Sequence, residues 1–226
     1  MKFNKEFKDA ILGLPQTEKD KLLLSLLKKE KVIAKGLYFK LLDYNSVDEH
    51  QLQMEEEIKA KVAYFATKRY TPSYLIKRLR SVSTDIKVHV KVTKDKLGDS
   101  YLHLLLLVET LETFNTKLNK TTPGQARKLC LYILSKTFVI LIGINKLHED
   151  YHLEHRENLE KLGELFMSNK HLVRAAKQNG FDMDWLVSTE IPENIDDIHK
   201  EIKARGYLSM KTYLSTPNFQ GESVSQ

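Results

Sequence analysis

Two long segments, 100–118 and 126–145, are near-continuously apolar, and that feature most restricts how this chain can fold. A helix with water on one side carries a polar face, whereas one that is apolar all round belongs inside a protein. Both segments read as helices. Asp99 or Ser100 is placed to cap the first, which runs to about Leu118, and Thr122-Pro123 opens the second, which reaches at least Ile144. Only 9 Gly and 5 Pro occur in 226 residues, while Leu, Lys and Glu abound. Long helices with few tight turns follow.

The remaining chain fits the same class. Phe3, Phe7 and Ile11 recur at helical spacing before Pro15. Thr17 with Asp20 approximates a capping box ahead of a leucine-rich helix to about Glu30, and another helix spans about Val32 to Leu42. Ser46 with Glu49 is a full capping box, and Met54, Ile58, Val62 and Phe65 form the apolar stripe behind it. Thr71-Pro72 ends that helix and starts the next. Ile86 to Val92 alternates apolar and polar like a strand, yet no partner strand is evident, so helix is the expectation there. Further helices are expected over roughly 148–168, from Lys170 to Gln178 before Gly180, and from Asn194 to Arg205 before Gly206. The predicted fold is all-α, a bundle or irregular stack of about nine to eleven helices. Residues 1–180 form its main domain, 181–214 a small C-terminal helical lobe packed on it, and 215–226 a polar disordered tail. No fixed-period repeat occurs.

Composition excludes several classes. The lone cysteine, Cys130, sits in an apolar run and reads as a small buried hydrophobe. With no intrachain disulfide possible and no secretory signal in MKFNKEFKDAILG, a cytoplasmic protein is expected. The longest apolar run, Phe138–Ile144, falls far short of the ~20 residues of a membrane span. There is no glycine-rich phosphate loop, nucleophile elbow or kinase signature.

Two features carry possible chemistry. The first is His148-Glu149-Asp150-Tyr151-His152, which is H-E-x-x-H. On a helix this spacing sets two imidazoles one turn apart, able to grip one zinc or another divalent metal, with Glu149 as general base on a metal-bound water. These five residues resemble the motif of the zincin metallopeptidases, which implies a metal-dependent hydrolase with His148 and His152 as ligands. His155, or Glu164, would supply a third. Charged Lys146, Asp150 and Glu154 flank the motif, and no sheet is evident to line a substrate cleft. On one continuous helix, His148, His152 and His155 extend the apolar seam of Leu141, Ile144, Leu159, Leu162 and Phe166. Buried there, they must be either ligated or hydrogen-bonded to neighbouring helices. A second E-x-x-H, which a carboxylate-bridged dimetal bundle would need, does not occur.

The second feature is charge. The net value is +6, but from Lys59 to Lys96 there are 11 Lys or Arg against two acids, giving +9, while His148 to Phe166 carries −4. Lys68, Arg69, Lys77, Arg78 and Arg80 are candidate contact charges, with Tyr70 and Tyr74 as possible stacking groups. Such a face suits an acidic protein surface or nucleic acid, or docks on the chain's own acidic segment in a self-associated oligomer. It equally describes solvated helix faces whose aliphatic stems cover the core. Trp185 either anchors a partner or packs the C-terminal helices. The sequence reading is therefore a non-catalytic helical module that binds a macromolecule through its basic face, without cofactor or membrane, with the metal-dependent hydrolase as the alternative.

Overall fold

The computed structural model describes residues 3–209. Among them are eleven α-helices and no strand: α1 Lys5–Leu12, α2 Gln16–Lys29, α3 Lys31–Leu42, α4 Val47–Ala66, α5 Pro72–Thr93, α6 Lys96–Asn119, α7 Pro123–Asn145, α8 His152–Met167, α9 Lys170–Gln178, α10 Asp184–Val187 and α11 Ile195–Ala204, with a 3-10 turn at Glu149–Tyr151 before α8. The all-α stack is as the sequence led us to expect. Residues 215–226, expected to be a tail, lie outside the described residues.

α6 is the hub. Fourteen of its residues are buried, and it packs against α4, α5, α7, α8 and α9. α7 buries twelve residues against the same body. It is the one described helix long and apolar enough by composition to cross a membrane, a property that counting only its uninterrupted apolar run misses. α4 turns Met54, Ile58, Val62 and Phe65 inward, as their spacing requires. α5 contributes Leu75, Leu79, Val82 and Ile86. Their three- and four-residue steps carry the helix through 86–92, where local alternation imitates a strand.

The starts of α2 and α6 differ from expectation. α2 begins at Gln16, because the Pro15 carbonyl accepts from the backbone N–H groups of Glu18 and Lys19, so Thr17 lies inside the first turn. α6 begins at Lys96, because Asp95 caps the Gly98 N–H at 2.8 Å. At Gly98 a Cβ would fall 1.9 Å from an Asp95 carboxylate oxygen, so a larger residue there would displace the capping side chain. The Ser46–Glu49 capping box forms in full.

Buried polar groups join the helix ends. Asn115 on α6 donates to the Leu165 carbonyl at 2.9 Å and to Ser168 Oγ at 2.8 Å. Asn169, fully buried, donates back to Asn115 and accepts from the N–H groups of His171 and Leu172, capping α9. One amide pair thus ties α6, the end of α8 and the start of α9. Residues from 181 onward send Phe181, Leu186, Ile195 and Ile202 into the common core. Phe138 gathers the aromatic rings of this region: it stacks on His199 at 4.7 Å and meets Phe181 at 5.0 Å and Trp185 at 5.9 Å. Trp185 therefore serves packing.

The N-terminal arm differs from the rest. α1, α2 and α3 bury no side chain, yet they expose Phe7, Ile11, Leu23, Leu24, Leu26 and Leu42 among other large apolar residues. α3 rests on α5 and α2 on α3.

Truncating Phe138 to Ala should cost about 3–5 kcal/mol in urea unfolding, the range for a buried aromatic. Tyr44→Ala, at a side chain 96% exposed, should stay within about 0.5 kcal/mol of the parent. Equal effects would place the C-terminal helices outside the core.

Candidate functional site

The H-E-x-x-H histidines do not share a helical face. α7 ends at Asn145, and the 3-10 turn separates it from α8. His148 precedes that turn, its side chain 73% exposed and its Nδ1 3.1 Å from Asp150. Glu149 lies exposed in the turn. His152 begins α8, half-buried. Only His155 turns fully inward, where its Nδ1–H donates to the Tyr151 carbonyl at 2.9 Å and its ring meets Tyr101 edge-on. The expectation of one continuous histidine seam is corrected: the break after Asn145 moves His148 out of phase with the other two. No three His, Cys, Asp or Glu side chains among the described residues come close enough to hold a metal ion together. Cys130 is buried, and desolvation pushes its thiol up to about 12, which removes it as a nucleophile near neutral pH.

The basic residues are placed as surface groups. Lys68 and Arg69 sit in the bend between α4 and α5, and Lys77, Arg78 and Arg80 on α5; all five are exposed. Lys68, Arg69, Lys77 and Arg78 form no ion pair among the described residues. Helical spacing groups Lys77, Arg80, Lys87 and Lys91 into one stripe and sets Arg78 apart, where its guanidinium lies 4.9 Å over the Tyr74 ring. Tyr70 is stacked on Phe114 at 5.6 Å, and both Tyr70 and Tyr74 are half-buried against the core. They are packing residues with one edge showing.

A third constellation was not legible in the sequence. Ser83 of α5, His103 of α6 and Lys136 of α7 meet inside the bundle, from positions 20 and 53 residues apart in the chain. The His103 Nδ1–H donates to the Asp99 carbonyl at 2.8 Å and lies 3.0 Å from the Asp99 carboxylate. Nε2 is therefore an acceptor, and Ser83 Oγ donates to it at 2.7 Å. Lys136 Nζ donates to the same hydroxyl at 2.6 Å. A hydrogen bond from His103 holds the Asp99 carboxyl below its usual range, while burial pulls the Lys136 ammonium below its own. Beside this chain of bonds opens a cavity of about 450 Å³ lined from α5, α6, α7 and α11.

No known family model matches the chain, and neither the curated proteins nor the solved structures compared with it give a match.

Burial lowers the pKa of His89, His155 and His199 from the ordinary 6.5. As pH falls below that value, the unfolded chain takes up protons before the folded one does. Their contribution is complete above 6.5 and disappears as pH drops through the folded-state values. Unfolding free energy should therefore rise as pH is raised toward about 6.5 and level off above it, with a shallower slope in His155→Leu. A flat profile would show that these rings are not desolvated.

Proposed function

We propose that this protein is a non-catalytic helical interaction module whose partner is an acidic protein surface. The observation that carries this reading is the N-terminal arm, three helices exposing large apolar side chains and burying none. Short helices are marginal in water without packing, and contiguous apolar patches of this kind mark contact surfaces. Charge identifies the kind of partner. The arm carries nine Lys against five acids over residues 3–42, and α3 packs on the basic α5. Lys68, Arg69, Lys77, Arg78 and Arg80 supply exposed positive charge, steering an acidic surface toward the apolar contact.

An acidic protein suits the surface better than nucleic acid does. Leucine and phenylalanine faces have little to offer a phosphate backbone. Tyr70 and Tyr74, the candidate stacking groups, already pack against the core.

The test is site-specific photocrosslinking in cells from benzoylphenylalanine at Leu23 or Leu26. The expected product joins the chain to an acidic protein, falls about tenfold with Lys77→Glu/Arg78→Glu, and persists with Lys77→Arg. Crosslinks only to a second copy, crosslinks indifferent to charge reversal, or tight low-salt binding of short DNA or RNA would each contradict the reading.

A further inference from the structure

The cavity between α5, α6, α7 and α11 stands apart from the interaction surface and is unusually cationic. Lys87, Lys136, Lys146 and Lys203 line it, facing a single carboxylate, Asp99. None of the four lysines is ion-paired among the described residues. Surface lysines alone would mean little, but three polar side chains here are more than nine-tenths buried. His103, 7% exposed, lines the cavity, and Ser83, 5% exposed, lies behind it. Tyr132 is 6% exposed and also lines it. Its hydroxyl, near Ser83, makes no hydrogen bond of normal geometry.

Ser83, His103 and Asp99 are the residue types of a nucleophile, base and acid relay. Their geometry serves another purpose. Ser83 Oγ lies outside the cavity lining, almost fully buried, with its oxygen occupied by Lys136. The bonded chain from Asp99 through His103 and Ser83 therefore positions Lys136, leaving two of its three N–H groups for the cavity.

We propose that this cavity binds a small organic phosphate, with Lys136 contacting the phosphoryl oxygens, Lys87, Lys146 and Lys203 balancing its charge from the rim, and the apolar wall of Val139, Ile140 and Ile142 receiving the organic portion. Four ammonium groups against one carboxylate exceed what a monoanionic carboxylate would balance and suit a phosphate near charge −2. The volume lies within the range of small-molecule sites.

The test uses the intact protein, with phenyl phosphate, inorganic phosphate and benzyl alcohol as probes, followed by amide NMR shifts. Phenyl phosphate should give saturable shifts centred on Ser100, His103, Lys136 and Gly143, with a dissociation constant of about 1 mM or tighter. Inorganic phosphate should bind at least about tenfold more weakly, and benzyl alcohol should not saturate. The rim variant Lys87→Ala/Lys146→Ala/Lys203→Ala, which changes three side chains with at least one exposed end, should weaken phenyl phosphate about tenfold or more, whereas Lys28→Ala/Lys29→Ala should change nothing. Ser83→Ala should also weaken binding, with an unchanged amide spectrum elsewhere reporting that the fold is intact. No saturable shift by about 10 mM, equal binding of any two probes, or indifference to the rim variant would overturn the proposal.

Discussion

The fold is arranged around burying α6, which is enclosed from Leu102 to Val108 and exposes only Glu112, Thr116 and Lys117 further along. From Leu102 to Leu111 its backbone carries apolar side chains in nearly every direction, so no single partner helix can cover it. α4, α5, α7, α8 and α9 are required together. The apolar stripes of α4 and α5 are one-sided because each meets α6 from outside, and α7 is nearly as enclosed as α6 because it sits between α6 and the C-terminal helices. Burying such a helix also brings in the polar groups along it, and each must be satisfied internally. Thr110 returns its hydroxyl to the Leu106 carbonyl, Asn115 bridges to α8 and α9, and His103 is held between Asp99 and Ser83.

The same constraint separates the molecule into a packed body and an arm. Helices packed on the body around α6 and α7 gain a core, and α1 to α3 bury no side chain in it. Their leucines remain outside, next to an excess of lysines, and this is the surface on which the proposed acidic partner would dock. The cationic cavity has a different origin. It forms where α5, α6 and α7 bring polar residues together, with Lys136 held by its hydrogen bond to Ser83 and Lys87, Lys146 and Lys203 exposed at the rim.

Helical periodicity made most of this architecture legible. The stripe of Met54, Ile58, Val62 and Phe65, the cap at Ser46 and the near-continuous apolarity of 100–118 and 126–145 are local facts with local consequences. The ambiguity at 86–92 was resolved by residues further upstream, since Leu75, Leu79 and Val82 establish the phase into which Ile86 falls. The histidine seam misled because a seam depends on an unbroken helix, and the three-residue 3-10 turn at Glu149–Tyr151 rotates everything after it. The basic residues were recognisable as surface groups from charge density. Ser83, His103 and Lys136 carried no signal at all, because their meeting depends on how α5, α6 and α7 pack, and nothing in their sequence spacing encodes it.

The claim that a tightly enclosed α6 organises the body while the arm lies outside it is tested most directly by native-state hydrogen exchange resolved along the chain. Amides of 102–111 and 129–141 should exchange slowest, at rates reflecting global unfolding, and those of 5–42 should exchange faster by orders of magnitude. Protection of the arm equal to that of α6 would contradict the account, since it would mean that the arm's apolar faces are already covered within the molecule.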